Sequence, residues 1–409
     1  MNDDGRKNHL IETGAEISRV AENLFEAKSI AVDLEADSLY HYQEMVCLVQ
    51  IATETDCFLI DPLKAKDISP LKPAFSNVGI RKILHGADYD IRSLYRDFGI
   101  EVNNLFDTQT ACRFLGIRET GLEAVLLNRF GIKLDKKFQK RDWSRRPLPA
   151  EMTEYAAEDV RYLIPLAGIL EKELKEKDRL FWVEEECELL TRVRSNSSDR
   201  GPLYLKFKGA SRLDSPSLTV LEMLLQFRDA LARKRNIPPF KVLGNDPIFE
   251  MALTKPLTLS ELGGIKTLTQ KQINTFGGNL VERIHQAISM PPQDLLRLPH
   301  KPKPKTEAVV LKRIKALKAW REMRAQNLGL DPGLLMNNAL LGVLAKKNPQ
   351  QEKDLEKITD LKNWQKTTLG LEILSVLKRE DGLALRRDSS GRHSGPEIVA
   401  QARSEKKGA

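Results

Sequence analysis

The stretch SIAVDLE, residues 29–35, decides the reading of the first half of the chain. It opens with small and β-branched apolar residues, as a buried strand requires, and closes on two acids. Residues two apart on a strand share a face, so Asp33 and Glu35 converge. Further short apolar runs follow at 46–51 (VCLVQI), 57–60 (CFLI), 81–84 (RKIL) and 105–106, just before Asp107. Helical periodicity marks 16–27, 90–98, 122–130 and 152–175. Strands interleaved with helices predict an α/β layer domain built on a mixed sheet.

Beyond about residue 210 the strand pattern stops. Punctuated stretches at 195–202 (SNSSDRGP) and 290–304 (MPPQDLLRLPHKPKP), and a polar tail from 381, mark boundaries. They predict domains at 1–205, 211–292 and 306–380, then a disordered tail at 381–409. The two later segments repeat at an offset of 93: Phe227-Arg228 aligns with Trp320-Arg321. Ala232 falls on Ala325, Ile237 on Leu330, Pro239 on Pro332, Val242 on Leu335 and Asn245 on Asn338. A proline and an asparagine kept in register point to two copies of one small helical domain.

The 409 residues are 41% hydrophobic and 30% charged, which excludes a disordered or collagenous chain. Charge is unevenly placed: residues 1–200 carry a net of −7 and residues 201–409 a net of +15. The basic half predicts attraction to polyanions, nucleic acid first among them. Cys47, Cys57, Cys112 and Cys187 form no CxxC, which argues against zinc or disulfides and for a reducing cytosol. The apolar runs are too short to span a bilayer, and the first residues lack the apolar core of a secretory leader. A cytoplasmic protein is expected. No nucleotide-driven motor motif is present; the pairs Gly263-Gly264 and Gly277-Gly278 read as turns or close helix contacts, or as N–H donors to phosphate.

Three weak signals combine into a strong one. Asp90 in LHGADYDI follows a strand and a glycine turn; Asp88 is the natural helix cap, leaving Asp90 free to face inward. Tyr155 and Asp159 in YAAED share a helix face at i, i+4. Four acids with no histidine or cysteine among them form an all-oxygen set suited to Mg²⁺ or Mn²⁺. His85 is read as a supporting or core group. Seven basic residues crowd positions 133–146: Lys133, Lys136, Lys137, Lys140, Arg141, Arg145 and Arg146. Just before the Tyr155 helix, they are placed to hold backbone phosphates.

These motifs resemble a known family. DLE at 33–35, LHGADYDI at 84–91, LFDT at 105–108 and YAAED at 155–159 are similar to those of the DEDD 3′–5′ exonucleases with a motif tyrosine, ribonuclease D closest among them. KKFQKRDWSRRPL at 136–148 resembles that family's K-x-x-Q-x-S-D-W-x-x-R-P-L stretch, with Arg141 where serine is usual. The repeats resemble the HRDC domain shared by RecQ-type helicases and ribonuclease D. The resemblance implies a ribonuclease-H-like α/β exonuclease domain followed by two all-α HRDC-like domains.

It further implies two divalent ions, with Asp33 bridging them, Glu35 and Asp159 completing one site and Asp90 serving the other. Tyr155 with Glu35 would aim the attacking water at the terminal phosphodiester. Leu34, Gln139, Trp143 and Arg146 are the implied substrate contacts, though a buried role suits Trp143 better than stacking on a base. The basic repeats (Arg228, Arg233, Lys234 and Arg235 in one; Lys312, Arg313, Lys315, Lys318, Arg321 and Arg324 in the other) would supply grip. The expected activity is release of 5′-nucleoside monophosphates from RNA 3′-hydroxyl ends, precursor tRNA among them, by a monomer. A DNA exonuclease and a non-catalytic RNA-binding scaffold are the alternatives; the retained acids and tyrosine count against the scaffold.

Overall fold

The computed structural model describes residues 7–194, 201–299 and 307–389, in two compact units, 1–302 and 303–409. The first unit begins with a six-stranded sheet: β1 (Lys7–Ile11), β2 (Ser29–Ala36), β3 (Val46–Ala52), β4 (Asp56–Ile60), β5 (Arg81–Leu84) and β6 (Leu105–Asp107). Their order is β1-β4-β3-β2-β5-β6. β3 runs antiparallel to β2 and β4, and the β1–β4, β2–β5 and β5–β6 pairs are parallel, giving the mixed sheet expected. All seven residues of β3 are buried, because helices cover both of its faces. β1 was not anticipated. It is an edge strand whose KNHLI contributes one fully buried side chain, Ile11, so it carries almost no apolar signal.

The helical stretch read at 152–175 is two helices, Ala150–Arg161 and Leu163–Glu176, broken at Tyr162. Pro165 has no N–H to donate to the Arg161 carbonyl, so the first helix cannot propagate through it. The helix Ala150–Arg161 packs on β2, β3 and β4.

Lys82 on β5 is fully buried; its Nζ donates to the carbonyls of Asn77 and Ile80, each at 2.7 Å. Burial lowers its pKa from 10.5 to about 8. Between those values the unfolded chain binds more protons than the folded one, so stability rises with pH across that window. The unfolding midpoint of the wild type should therefore climb from pH 8 to 10 relative to Lys82→Met; parallel curves would contradict this.

The repeat prediction holds element by element. Helices Ser215–Arg235, Pro239–Val242, Asn245–Thr254, Leu259–Gly263 and Gln270–Ile288 recur as Ala308–Leu328, Pro332–Leu335, Asn338–Lys347, Glu352–Glu356 and Asn363–Ser389. Every start is displaced by 93. Arg228 Nη1 donates to the Leu243 carbonyl and Asn245 Oδ1, and Arg321 Nη1 to the equivalent Met336 carbonyl and Asn338 Oδ1. Gln272 and Gln365 likewise bond the equivalent carbonyls of Val242 and Leu335. Gly277 and Gly370 let the last helix approach the short one; a Cβ at Gly277 would stand 2.7 Å from Leu259 Cδ2, and one at Gly370 3.0 Å from Leu355 Cδ1.

Three expectations are corrected here. Arg228 and Arg321 are internal clasps, not grip; Arg321 is buried and Arg228 half-buried. Arg324 is also committed, to Glu372 at 3.2 Å, whereas Lys234, Arg235, Lys312, Lys315 and Lys318 are exposed. Gly277 belongs to close helix packing, not to a phosphate loop. The expected start of the tail at 381 does not hold, since the final helix reaches Ser389; residues 390–409, 195–200 and 300–306 lie outside the described residues. Among the described residues no helix is long and apolar enough to cross a membrane.

Candidate active site

β2 forms because Ile30, Ala31, Val32 and Leu34 are buried between layers, and its alternation leaves Asp33 and Glu35 half-exposed on one face. The register with β3 slips between Glu35 and Ala36, an irregularity just past the two acids, and pairing resumes at Ala36 with Val46. β5 runs through Gly86, at φ +84, into the helix Asp88–Phe98, and Asp90 in its first turn is buried. Asp107 braces that turn, accepting from the Gly86 N–H at 2.6 Å while capping the helix Thr108–Leu115. Asp88 does not cap its own helix as expected; it pairs with Arg92 at 2.9 Å. His85 bonds Thr108 Oγ1 and the Thr120 carbonyl, each at 2.8 Å, which gives it the supporting place expected of it.

The helix Ala150–Arg161 brings Tyr155 and Asp159, one turn apart on the same face, over β2. Burial and then the neighbouring negative charges set the electrostatics. Burial raises Asp33 to about 6. Burial, then Asp33, raises Asp159 to about 8. Glu35 is pushed well above its usual range by burial and by Asp33, Asp159 and Asp90 together. Asp90 is raised by burial, then Asp33 and Asp107. The Tyr155 hydroxyl is also raised, by burial first and then by Asp159, Glu35 and Asp33, so it stays protonated at neutral pH.

Four acids from three elements thus feel one another's charge, and among the described residues no lysine or arginine pairs with any of them. Such a set holds protons until a cation relieves the repulsion. Its all-oxygen donors and negative charge fit Mg²⁺ or Mn²⁺. Among the described residues no three His, Cys, Asp or Glu side chains already stand as a closed coordination cluster, so the acids form a common field that an ion would have to draw in.

The expected substrate contacts fare differently. Leu34 is buried and faces away from Asp33 and Glu35, so its side chain serves packing. Trp143 is fully buried, its ring 6.1 Å from that of Tyr155; it backs the tyrosine and cannot stack on a base. Arg146 spends all five N–H donors inside the protein, on Asp61 and the carbonyls of Trp143, Arg145 and Cys47. It clamps the loop to the sheet. Gln139 is exposed, as are Lys133, Lys140 and Arg141. Lys136, Lys137 and Arg145 pair with Glu123, Glu151 and Asp142. Phe138, whose ring centroid is 5.9 Å from that of Tyr155, lines a cavity of about 460 Å³ together with Tyr40, Arg141, Arg145 and Met152.

The loop after β2 ties this region to the first helical repeat. Tyr42 donates to Asp229 Oδ1 at 2.6 Å, Arg233 donates to the Tyr42 hydroxyl at 3.2 Å, and Lys241 Nζ sits 4.1 Å from the Tyr40 ring centroid. Sequence reasoning missed this latch, since two tyrosines in a loop carry no periodicity. It also missed Gln50, whose signal was available as one amide inside an otherwise apolar strand.

Residues 8–175 match the family described as 3′-5′ exonuclease, and residues 217–284 and 310–377 each match the HRDC domain. The chain is 31% identical over 294 residues to ribonuclease D of Jannaschia sp., covering 70% of this chain and 76% of that one. It is 32% identical over 296 residues to mouse exosome complex component 10, which are 69% of this chain and 33% of that protein; it spans about a third of that relative's length. The crystal structure of Escherichia coli RNase D shares the fold, with a TM-score of 0.66 and 24% identity over 91% of this chain and 99% of that one.

Proposed function

The chain belongs to the ribonuclease D family, and on that premise we propose that Asp33, Glu35, Asp90 and Asp159 hold two divalent ions, Mg²⁺ or Mn²⁺, at the 3′ end of an RNA strand. The enzyme is a 3′–5′ exoribonuclease, and its products are 5′-nucleoside monophosphates. The reading is carried by one observation: the four acids, Asp90 buried and the others partly so, share one electrostatic field with no basic partner among the described residues. Ions bound there would activate the attacking water and stabilise the departing 3′ oxygen.

The protein's own groups divide the remaining work. Asp33, whose charge acts on all three other acids, would bridge the ions, Glu35 and Asp159 would complete one site, and Asp90 the other. Tyr155, one turn from Asp159 and protonated at neutral pH, orients the water and does not deprotonate it. Lys133, Lys140 and Arg141 hold backbone phosphates, and Gln139 reaches the chain end.

The proposal extends to precursor tRNA 3′ ends as substrate, to a cytoplasmic monomer, and to functional domains at 1–205, 211–292 and 306–380. A Mg²⁺-dependent assay on matched RNA and DNA oligonucleotides, with free or blocked 3′ ends, tests it. Single-nucleotide laddering from free RNA ends alone is expected. Equal digestion of DNA would shift the reading to a DNA exonuclease, and no digestion of either to a binding scaffold.

A further inference from the structure

We propose that Gln50 is a positioning residue for Asp33. β3 is buried along its whole length, yet it carries one primary amide in the run VCLVQIA. Gln50 is 0% exposed, and neither its Oε1 nor its Nε2 has a hydrogen-bond partner. A buried amide without partners costs stability that an apolar residue of similar size would avoid, so packing does not account for it.

The ladder register does. Gln50 lies directly across from Asp33 on β2 and from Leu59 on β4. Directly opposed residues on antiparallel strands project from the same face, with Cβ atoms about 4.5–5.5 Å apart. On that face its neighbours along β3 are Leu48 and Ala52. Among these four neighbours only Asp33 can form a side-chain hydrogen bond. The helix covering the sheet contributes buried Met152, Ala156, Ala157 and Val160, which offer the amide no partner, and Arg161, which is turned to Asn8 and Glu154; its Tyr155 and Asp159 belong to the same acidic site as Asp33.

Among the described residues no side chain donates a hydrogen bond to the Asp33 carboxylate. Rotation about the Gln50 side-chain bonds brings Nε2 to one Asp33 oxygen. That bond would fix the plane of the carboxylate and leave its other oxygen facing the cleft. Amides that orient a ligating carboxylate in this way act through it and touch neither ion nor substrate. The inference rests on the two-ion reading above and deepens it.

Gln50→Met keeps the length of the side chain and removes the amide. The variant should unfold at the wild-type temperature or above and keep the KM for an oligoribonucleotide. Its kcat, and its Mn²⁺ affinity measured by calorimetry without substrate, should each fall by about ten- to a hundred-fold. Gln50→Leu, a second apolar replacement, should reproduce both losses. Wild-type kcat together with wild-type Mn²⁺ affinity in either variant overturns the proposal, as does failure of both to fold. Asp33→Asn run in parallel separates the two levels: if it also retains Mn²⁺ affinity, the two-ion reading falls and takes the inference with it.

Discussion

Asp33→Asn is expected to lower the single-turnover rate on a short oligoribonucleotide by about a thousand-fold or more, with the fold intact. The replacement keeps the size and planarity of the side chain, so β2 and its register with β3 should persist. What it removes is the charge that Glu35, Asp90 and Asp159 all feel. Without ions the variant should be at least as stable as the wild type, because one member of a mutually repelling set has become neutral. A rate within tenfold of the wild type would remove Asp33 from the chemistry, whatever the stability showed.

The second large effect is a linkage between pH, ions and stability. Asp33 keeps its proton to about 6 and Asp159 to about 8, against 3.8 for a free aspartate. The folded chain therefore binds more protons than the unfolded one across that whole window. The contribution of these groups is fully present below pH about 4 and is lost as pH rises through 6 and then 8. In chelator, the unfolding temperature should fall between pH 5 and pH 8. Mg²⁺ or Mn²⁺ should restore it more strongly at pH 8, where fewer protons must be displaced. Calorimetry in buffers of different ionisation heats should register protons released on binding near pH 7. A chelated protein whose stability ignores pH, and ion binding without proton release, would contradict the buried acidic field.

Much of this was legible from residue order. SIAVDLE and VCLVQI announce strands because β-branched residues pack well on a pleated surface, and the Asp33/Glu35 alternation follows from strand geometry alone. The offset of 93 was readable because Pro239/Pro332 and Asn245/Asn338 sit at helix starts that cannot drift. The misreadings share one cause, which is that charge and aromaticity do not announce burial. Arg146, Arg228 and Arg321 look like ligands for phosphate when counted as cations. Only the fold shows that carbonyls and an aspartate have claimed their donors. Trp143 is a stacking candidate by residue type and a filler behind Tyr155 by position. Asp88 and Asp90 show the limit on a finer scale, since one step along a helix separates an exposed ion pair from a buried acid.

The duplicated domains have shared a skeleton and parted in their dealings with the outside. Arg228/Arg321, Gln272/Gln365 and Gly277/Gly370 are common to both, but the residues that Tyr42 and Tyr40 engage in the first copy are replaced in the second. There Asp229 becomes Glu322, Arg233 becomes Gln326 and Lys241 becomes Leu334. A chimera carrying the later copy in the earlier position should fold from its own interior yet fail to fasten to the nuclease. The interior that builds the frame is thus held in common, while the outward grip on Tyr40 and Tyr42 is written in residues the first copy keeps to itself.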